Sequence, residues 1–177
     1  MKEASVMVPF LDQTSEPDIL FEVRQRSIPQ GGDICFPGGQ KEADETAQAT
    51  ATRETCEELL IRQEQLHDVT PLFTLPGPGG IAVHAFRCHL EDYHHTYGTS
   101  EIESVFTMPL SWFQTHEPSV LEVQMEMRPE DQAAIRKLIH RSDYAFRPQI
   151  KVMRFYNTDH GVIWGLTAEI LYRITHP

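Results

Sequence analysis

Glu54, Glu57 and Glu58 are the residues of this 177-residue chain whose type and spacing most clearly suit chemistry. They lie in a stretch without Gly or Pro, so on a helix the spacing i, i+3, i+4 places three carboxylates within an arc of about 100°. Crowding like charges costs an open helix about 0.2–0.5 kcal/mol per pair. A cation over that face removes the cost, and a set of oxygen donors suits Mg²⁺ or Mn²⁺, which keep waters and bind substrate phosphates. Arg53 stands beside the cluster and can orient one carboxylate. Such a run is more often a solvated acidic face. Here a short strand, Ile34-Cys35-Phe36, and the breaker Pro37-Gly38-Gly39 precede it. They read as delivering the start of the helix over a sheet edge, as phosphate sites do.

The helix that must carry these groups is expected over 44–61, with Asp44 and Glu45 near its start, where carboxylates suit the helix dipole. Ala47, Ala51, Thr55 and Leu59 form an i,i+4 stripe that can lie on a sheet. Strands are expected at 6–10, 19–24, 34–36, 69–75, 81–90 and 102–108, with turn chemistry at Ser15-Glu16-Pro17-Asp18 and a loop at 76–80. Further on, 110–114 reads as a short helix, and 121–127 alternates with period 2 as a half-exposed strand. A helix at 129–140, a hairpin of 150–156 with 162–164, and a closing helix at 167–174 complete the chain. Mixed strands with few helices argue for a layered domain of α and β elements.

Composition narrows the field. Hydrophobic residues make up 40% and charged residues 23%, which excludes a disordered chain and a coiled coil. No apolar run approaches the roughly 18 residues of a membrane span, and the N-terminus lacks signal-peptide features. The net charge of −11 offers no footprint for nucleic acid and disfavours anionic membranes. A phosphorylated substrate would need divalent metal and local bases. The three cysteines are widely spaced without C-x-x-C, which fits reduced thiols and a cytoplasmic location.

Gly39, five residues, Glu45, seven residues and then Arg53-Glu54-Thr55-Cys56-Glu57-Glu58-Leu59-Leu60-Ile61 resembles the Nudix box, G-x5-E-x7-R-E-U-x-E-E-x-G-U, where U is aliphatic. Six of the seven fixed residues match in register. Thr55 fills an aliphatic position loosely, and Leu60 stands where the family has glycine. The resemblance implies an α/β fold: a Nudix α/β/α sandwich with a mixed central β-sheet, one domain over 1–177 with the box at 39–61. It implies hydrolysis of a nucleoside diphosphate linked to another moiety. Glu54, Glu57 and Glu58 would hold Mg²⁺ or Mn²⁺, with Arg53 and Glu45 orienting them. Glu54 or Glu58 would act as general base, and Glu101, preferred over Glu103, would add a metal-binding carboxylate. Leucine resists the left-handed conformation by roughly 1–2 kcal/mol, so the helix is expected to run past Leu60 or to end by another cap.

The resemblance extends to a subgroup. Arg26-Ser27 followed by Gln30-Gly31-Gly32-Asp33-Ile34-Cys35-Phe36-Pro37-Gly38-Gly39 is similar to the R-S … H-x-G-Q-V-S-F-P-G-G motif of coenzyme A diphosphatase-type Nudix hydrolases. Gln30, Asp33 and Cys35 depart from it. Ile163-Trp164-Gly165-Leu166-Thr167-Ala168 and Glu101-Ile102-Glu103-Ser104-Val105-Phe106 resemble that subgroup's later segments. The implied substrate is coenzyme A or acyl-CoA, cleaved to adenosine 3′,5′-bisphosphate and a phosphopantetheine. An ADP-ribose or nucleotide-sugar pyrophosphatase is the alternative. A non-catalytic nucleotide sensor is a third reading, against which stand three intact box glutamates. The partner is thus a small-molecule nucleotide, with no nucleic acid and no membrane; a homodimer is compatible with the sequence. Arg24 and Arg26, read as alternating along one strand, and Lys41, Gly38 and Gly39 are candidate substrate contacts. Cys35 reads as a small packed residue and Trp164 as core.

Overall fold

The computed structural model describes residues 2–11 and 16–176, so Ser15, the first residue of the expected turn, lies outside the described residues. β1 (Glu3–Leu11) and β2 (Asp18–Arg24) run antiparallel but share only Phe10↔Ile19 and Leu11↔Asp18 before they part. The fork between them is filled by the next segment. β3 (Ile34–Cys35) pairs with β2, and β4 (Gly38–Gln40) pairs with β1. β5 (Leu66–Pro76) and β6 (Ala82–Leu90) form a hairpin; β6 lies parallel to β1, and β7 (Ile102–Pro109) pairs with the other edge of β2. One parallel pair among antiparallel ones makes the sheet mixed, as expected.

Strand alternation sorts the sheet's side chains to two faces. Val8, Phe10, Ile19 and Phe21 join a core with α2 (Leu110–Thr115) and α4 (Gly165–Thr175) through Phe113, Ile170 and Leu171. Phe21 is fully buried, with ring centroids of Phe36 and Phe106 at 5.2 and 5.4 Å. Burying one such side chain stabilises by roughly 1.5–3 kcal/mol. On the opposite face, Met7, Leu11 and Leu20 pack with Ala51 and Leu59 of α1 (Ala47–Leu59). The expected stripe of α1 therefore does face the sheet, and helices cover both faces.

A second sheet has the order β10-β9-β8, from β8 (Ser119–Met125), β9 (Gln149–Thr158) and β10 (Gly161–Trp164), with α3 (Pro129–Leu138) between β8 and β9. β8 was expected to be half exposed by its alternation. Instead the adjacent Val120 and Leu121 are both more than half exposed, so neither face of β8 is covered there. Trp164 is also 37% exposed rather than core. Its indole N–H donates to Asp33 Oδ1 at 3.3 Å, which holds the ring at the surface beside β3.

Three further expectations are corrected near the helix. Pro37-Gly38-Gly39 does not lead straight into the helix, because Gly38–Gln40 is a strand anchored to β1. The helix begins after Thr46, whose hydroxyl accepts from Ala49 N–H at 3.1 Å. Asp44 (φ 68°) and Glu45 therefore lie before the helix, and its first turn carries no acidic residue. At the other end Leu60 takes φ 53°, ψ 47°, the conformation expected to be refused. The Ile61 N–H donates to the Cys56 carbonyl at 3.1 Å, closing the helix by the six-to-one bond that a glycine cap makes. Ile61 and Cys56 both pack on the α1-side core, and this hydrophobic clasp holds the leucine in its strained position.

Candidate active site

The fork between β1 and β2 places a glycine strand directly under α1. Gly38 N–H donates to Glu58 Oε2 at 2.8 Å. A Cβ on Gly38 would meet the Ser5 carbonyl and Val6 Cα, so β1 and β4 approach this closely only with glycine there. A Cβ on Gly39 would meet the carboxylate of Glu54 itself. The two glycines thus let the box carboxylates lie against main chain.

Arg53 organises the outer side of the cluster. Its Nε and Nη2 bind the Glu45 carboxylate at 2.7 and 3.1 Å, and its Nη1 reaches Glu54 at 3.0 Å and Glu57 at 3.2 Å. Glu45 also accepts from Thr50 Oγ1 and from the Glu42 N–H. The Arg53 hydrogen bond is the chief reason that the Glu45 carboxyl is held at about 2. Glu45 therefore holds Arg53, and Arg53 holds two box glutamates. The inner side is different. Glu58 is buried, and that burial, followed by the charges of Glu22, Glu54 and Glu101, raises its carboxyl well above the usual carboxylate range. Glu54 is raised for the same first reason, against the pull of Arg53.

Glu22 was missed by the sequence reading. It sits on β2, 1% exposed, on the α1 side with Leu20. The Cys35 thiol donates to its Oε1 at 3.3 Å, and its Oε2 has no hydrogen-bond partner among the described residues. Burial raises its carboxyl to about 7. The available signal was a lone acid inside the apolar run Ile19-Leu20-Phe21-Glu22-Val23, where alternation puts it on the same face as Leu20. Cys35 is otherwise as expected, a packed thiol pushed up by burial.

The candidate substrate contacts divide. Arg24 ends β2 on the Glu22 face, and its Nε donates to the Pro29 carbonyl at 3.4 Å. Arg26 does not share that strand, since β2 ends at Arg24. It stands in the following turn with an 80% exposed side chain and pairs with Glu103 at 3.1 Å. Lys41 Nζ is paired with Glu3 at 2.9 Å, beyond β4. Glu101 is exposed, its charge felt by Glu22, Glu54 and Glu58, whereas Glu103 is turned to Arg26.

The donor set is all carboxylate oxygen, which fits a hard divalent cation. Among the described residues no three acidic, histidine or cysteine side chains stand converged on one point. Glu54 and Glu57 each turn one oxygen, Oε1 and Oε2 respectively, to Arg53 Nη1, and a carboxylate so held keeps a second oxygen that can take a cation.

A NUDIX domain model matches residues 1–139, and the chain belongs to that family. It is a Nudix hydrolase by class, and the members of that class hydrolyse nucleoside diphosphate derivatives with divalent metal. It is 26% identical over 176 residues to a protein of Photorhabdus laumondii described as an uncharacterized Nudix hydrolase, NudL, covering 98% of this chain and 83% of that protein. Two solved structures share the fold. A Nudix hydrolase from M. smegmatis, RenU, has a TM-score of 0.54 at 18% identity, over 82% of this chain and 89% of that one. A C. elegans Ap4A hydrolase in a binary complex has a TM-score of 0.52 at 23% identity, over 62% of this chain and 81% of that one. Among the described residues no helix is long and apolar enough to cross a membrane.

Proposed function

We propose that the chain, acting as one domain over 1–177 in the cytoplasm, hydrolyses the pyrophosphate bond of coenzyme A or an acyl-CoA with Mg²⁺ or Mn²⁺. The observation that carries the coenzyme A reading is the Trp164–Asp33 hydrogen bond. It joins two of the three subgroup-like segments, 131 residues apart in sequence, through a residue of the first that differs from the motif, beside the strand that leads to the box carboxylates. Gln30 and Asp33 depart from the subgroup motif, so ADP-ribose remains the competing substrate.

Glu54, Glu57, Glu58 and Glu101 would hold the cation. When bound, a divalent ion neutralises the diphosphate and lowers the pKa of a water. The water oxygen bonds to phosphorus as the bridging P–O bond breaks. Glu54 or Glu58 takes the water's proton. Of the two, Glu58 is fixed by the Gly38 N–H and Glu54 by Arg53. Arg53, held by Glu45, keeps Glu57 on the helix face. Gly38 and Gly39 set the box carboxylates against the main chain beside which the substrate phosphates would lie, and Arg24, Arg26 and Lys41 are the bases that would meet them against a net charge of −11. Arg26 is suited to the 3′-phosphate that coenzyme A has and ADP-ribose lacks. An ion pair as exposed as Arg26–Glu103 is readily exchanged for a phosphate.

The test is a hydrolysis panel with Mg²⁺ and with Mn²⁺: coenzyme A, dephospho-coenzyme A, ADP-ribose, a nucleotide sugar and Ap4A, with products identified by mass. Adenosine 3′,5′-bisphosphate as the fastest-formed product supports the reading; preference for ADP-ribose overturns the subgroup and leaves the family. Arg26→Ala should lower kcat/KM on coenzyme A roughly 10- to 150-fold, the scale of a lost charged hydrogen bond. Its effect on dephospho-coenzyme A should be smaller.

A further inference from the structure

Glu22 lies outside the box, and no described hydrogen bond or ion pair joins it to Arg53 or to the glycine strand. It is nearly inaccessible, and one of its oxygens, Oε2, has no hydrogen-bond partner. Leaving a carboxylate oxygen buried and unpaired is costly, so such atoms normally face a cation or a donor. The neighbouring bases do not supply one. The Arg24 charge is felt by Glu22, but its Nε donates to the Pro29 carbonyl and no described hydrogen bond joins the two side chains, while the Cys35 thiol occupies only Oε1.

The direction of the orphaned oxygen follows from the sheet. Leu20 and Glu22 share the face that packs against α1, and Val105, opposite Glu22 in register, packs on the same core. Cys35, the register partner of Glu22 on β3, lies three residues before Gly38, whose N–H holds Glu58. Glu22 is thus the sheet's acidic group on the side of the helix's buried acidic group, and Glu58 feels its charge.

We propose that Glu22 is a further ligand of the divalent cation, approaching from β2 the ion that Glu58 approaches from α1. This rests on the reading of the site as a metal-dependent hydrolase. It makes the cation site deeper than the box alone implies, with the exposed Glu57 as its outer member and Glu22 as its floor.

The test uses Mn²⁺ alone, with binding by titration calorimetry and thermal melts of the full chain with and without the ion. Glu22→Gln should raise the Mn²⁺ Kd at least about tenfold, the range seen when groups supporting a metal site are removed. It should also shrink the Mn²⁺-induced rise in Tm while leaving the metal-free Tm unchanged or higher, because a buried charge has been removed. Cys35→Ala, which removes only the donor to Oε1, should weaken Mn²⁺ binding less than Glu22→Gln does. Wild-type Mn²⁺ affinity in Glu22→Gln, especially with a lowered metal-free Tm, would show that Glu22 only supports packing and would overturn the proposal. If Glu22→Gln does not fold, Glu22→Asp keeps the charge and shortens the reach. Weaker Mn²⁺ binding there supports the ligand role, and unchanged binding refutes it. Absence of Mn²⁺ binding in wild type overturns the metal-dependent reading as a whole, whereas binding insensitive to position 22 overturns only this inference.

Discussion

Position 39 shows how a single missing side chain shapes the site. The Gly39 Cα faces the Glu54 carboxylate so closely that one added methyl would occupy the carboxylate's place. Gly39→Ala should therefore displace Glu54 rather than strain the backbone. Misplacing a reacting group by about 1 Å costs on the order of a hundredfold. We expect kcat/KM to fall about that much with little change in Tm, measured by steady-state kinetics beside a thermal melt. Glu45 gives a second residue-scale prediction. Its carboxyl titrates at about 2 in the folded chain against an ordinary 4.5, chiefly through the Arg53 hydrogen bond. As pH falls below 4.5 the unfolded chain takes up the proton first, so the pair's stabilisation is complete above that value and is lost between there and about 2. Glu45→Gln should lower stability at neutral pH and flatten its decline across that window, as urea melts at several pH values would show. A Glu45→Gln profile parallel to that of wild type would refute this account.

At the scale of the element, α1 is bounded by one cap that the sequence favours and one that it resists. Thr46 is a good N-cap, and its hydroxyl does accept from Ala49. Leu60 is a poor left-handed residue, yet it adopts that conformation, 61% exposed, so its side chain gains little by packing. Leu60→Gly should stabilise the protein by about 1 kcal/mol, part of the roughly 1–2 kcal/mol strain being offset by glycine's greater freedom when unfolded. A rise in the urea midpoint without a change in slope is the expected result. A fall would mean that the leucine makes contacts worth more than its strain.

Across the whole molecule, the site joins a helix, two forked strands and the far edge of β2, so it forms only when the tertiary fold does. A cation that binds it should stabilise that fold by mass action. At a hundredfold excess over Kd the gain is about 2.7 kcal/mol, roughly 5–10 °C in Tm for a chain of this size. Mg²⁺ or Mn²⁺ should produce that shift, and replacing Glu54, Glu57 and Glu58 together by glutamine should abolish it along with turnover. A shift that survives the triple substitution would place the cation elsewhere.

Residues 39–61 determined a great deal unaided. Helical spacing alone puts Glu54, Glu57 and Glu58 on one face, and the i,i+4 step brings Arg53 to Glu57, because a helix's geometry is local. The reach of Arg53 back to Glu45 spans eight residues across the helix start, and the family pattern pointed to it. Strand alternation likewise marked the two faces of β2. Other features were decided only by distant partners. The early parting of β1 and β2 made Gly38–Gln40 a strand, where local chemistry reads a turn, because its hydrogen bonds go to β1 more than thirty residues away. Packing of Ile61 and Cys56 on the core overrode the backbone preference of Leu60. Arg26 left the strand that spacing suggested, for β2 slips in register against β7 between Val23 and Arg24 and then ends. Glu22 reached the box for the same long-range reason: alternation marks its face, but only the stacking of β2 beneath α1 set a buried carboxylate, one oxygen of it without a described partner, on the side of Glu58.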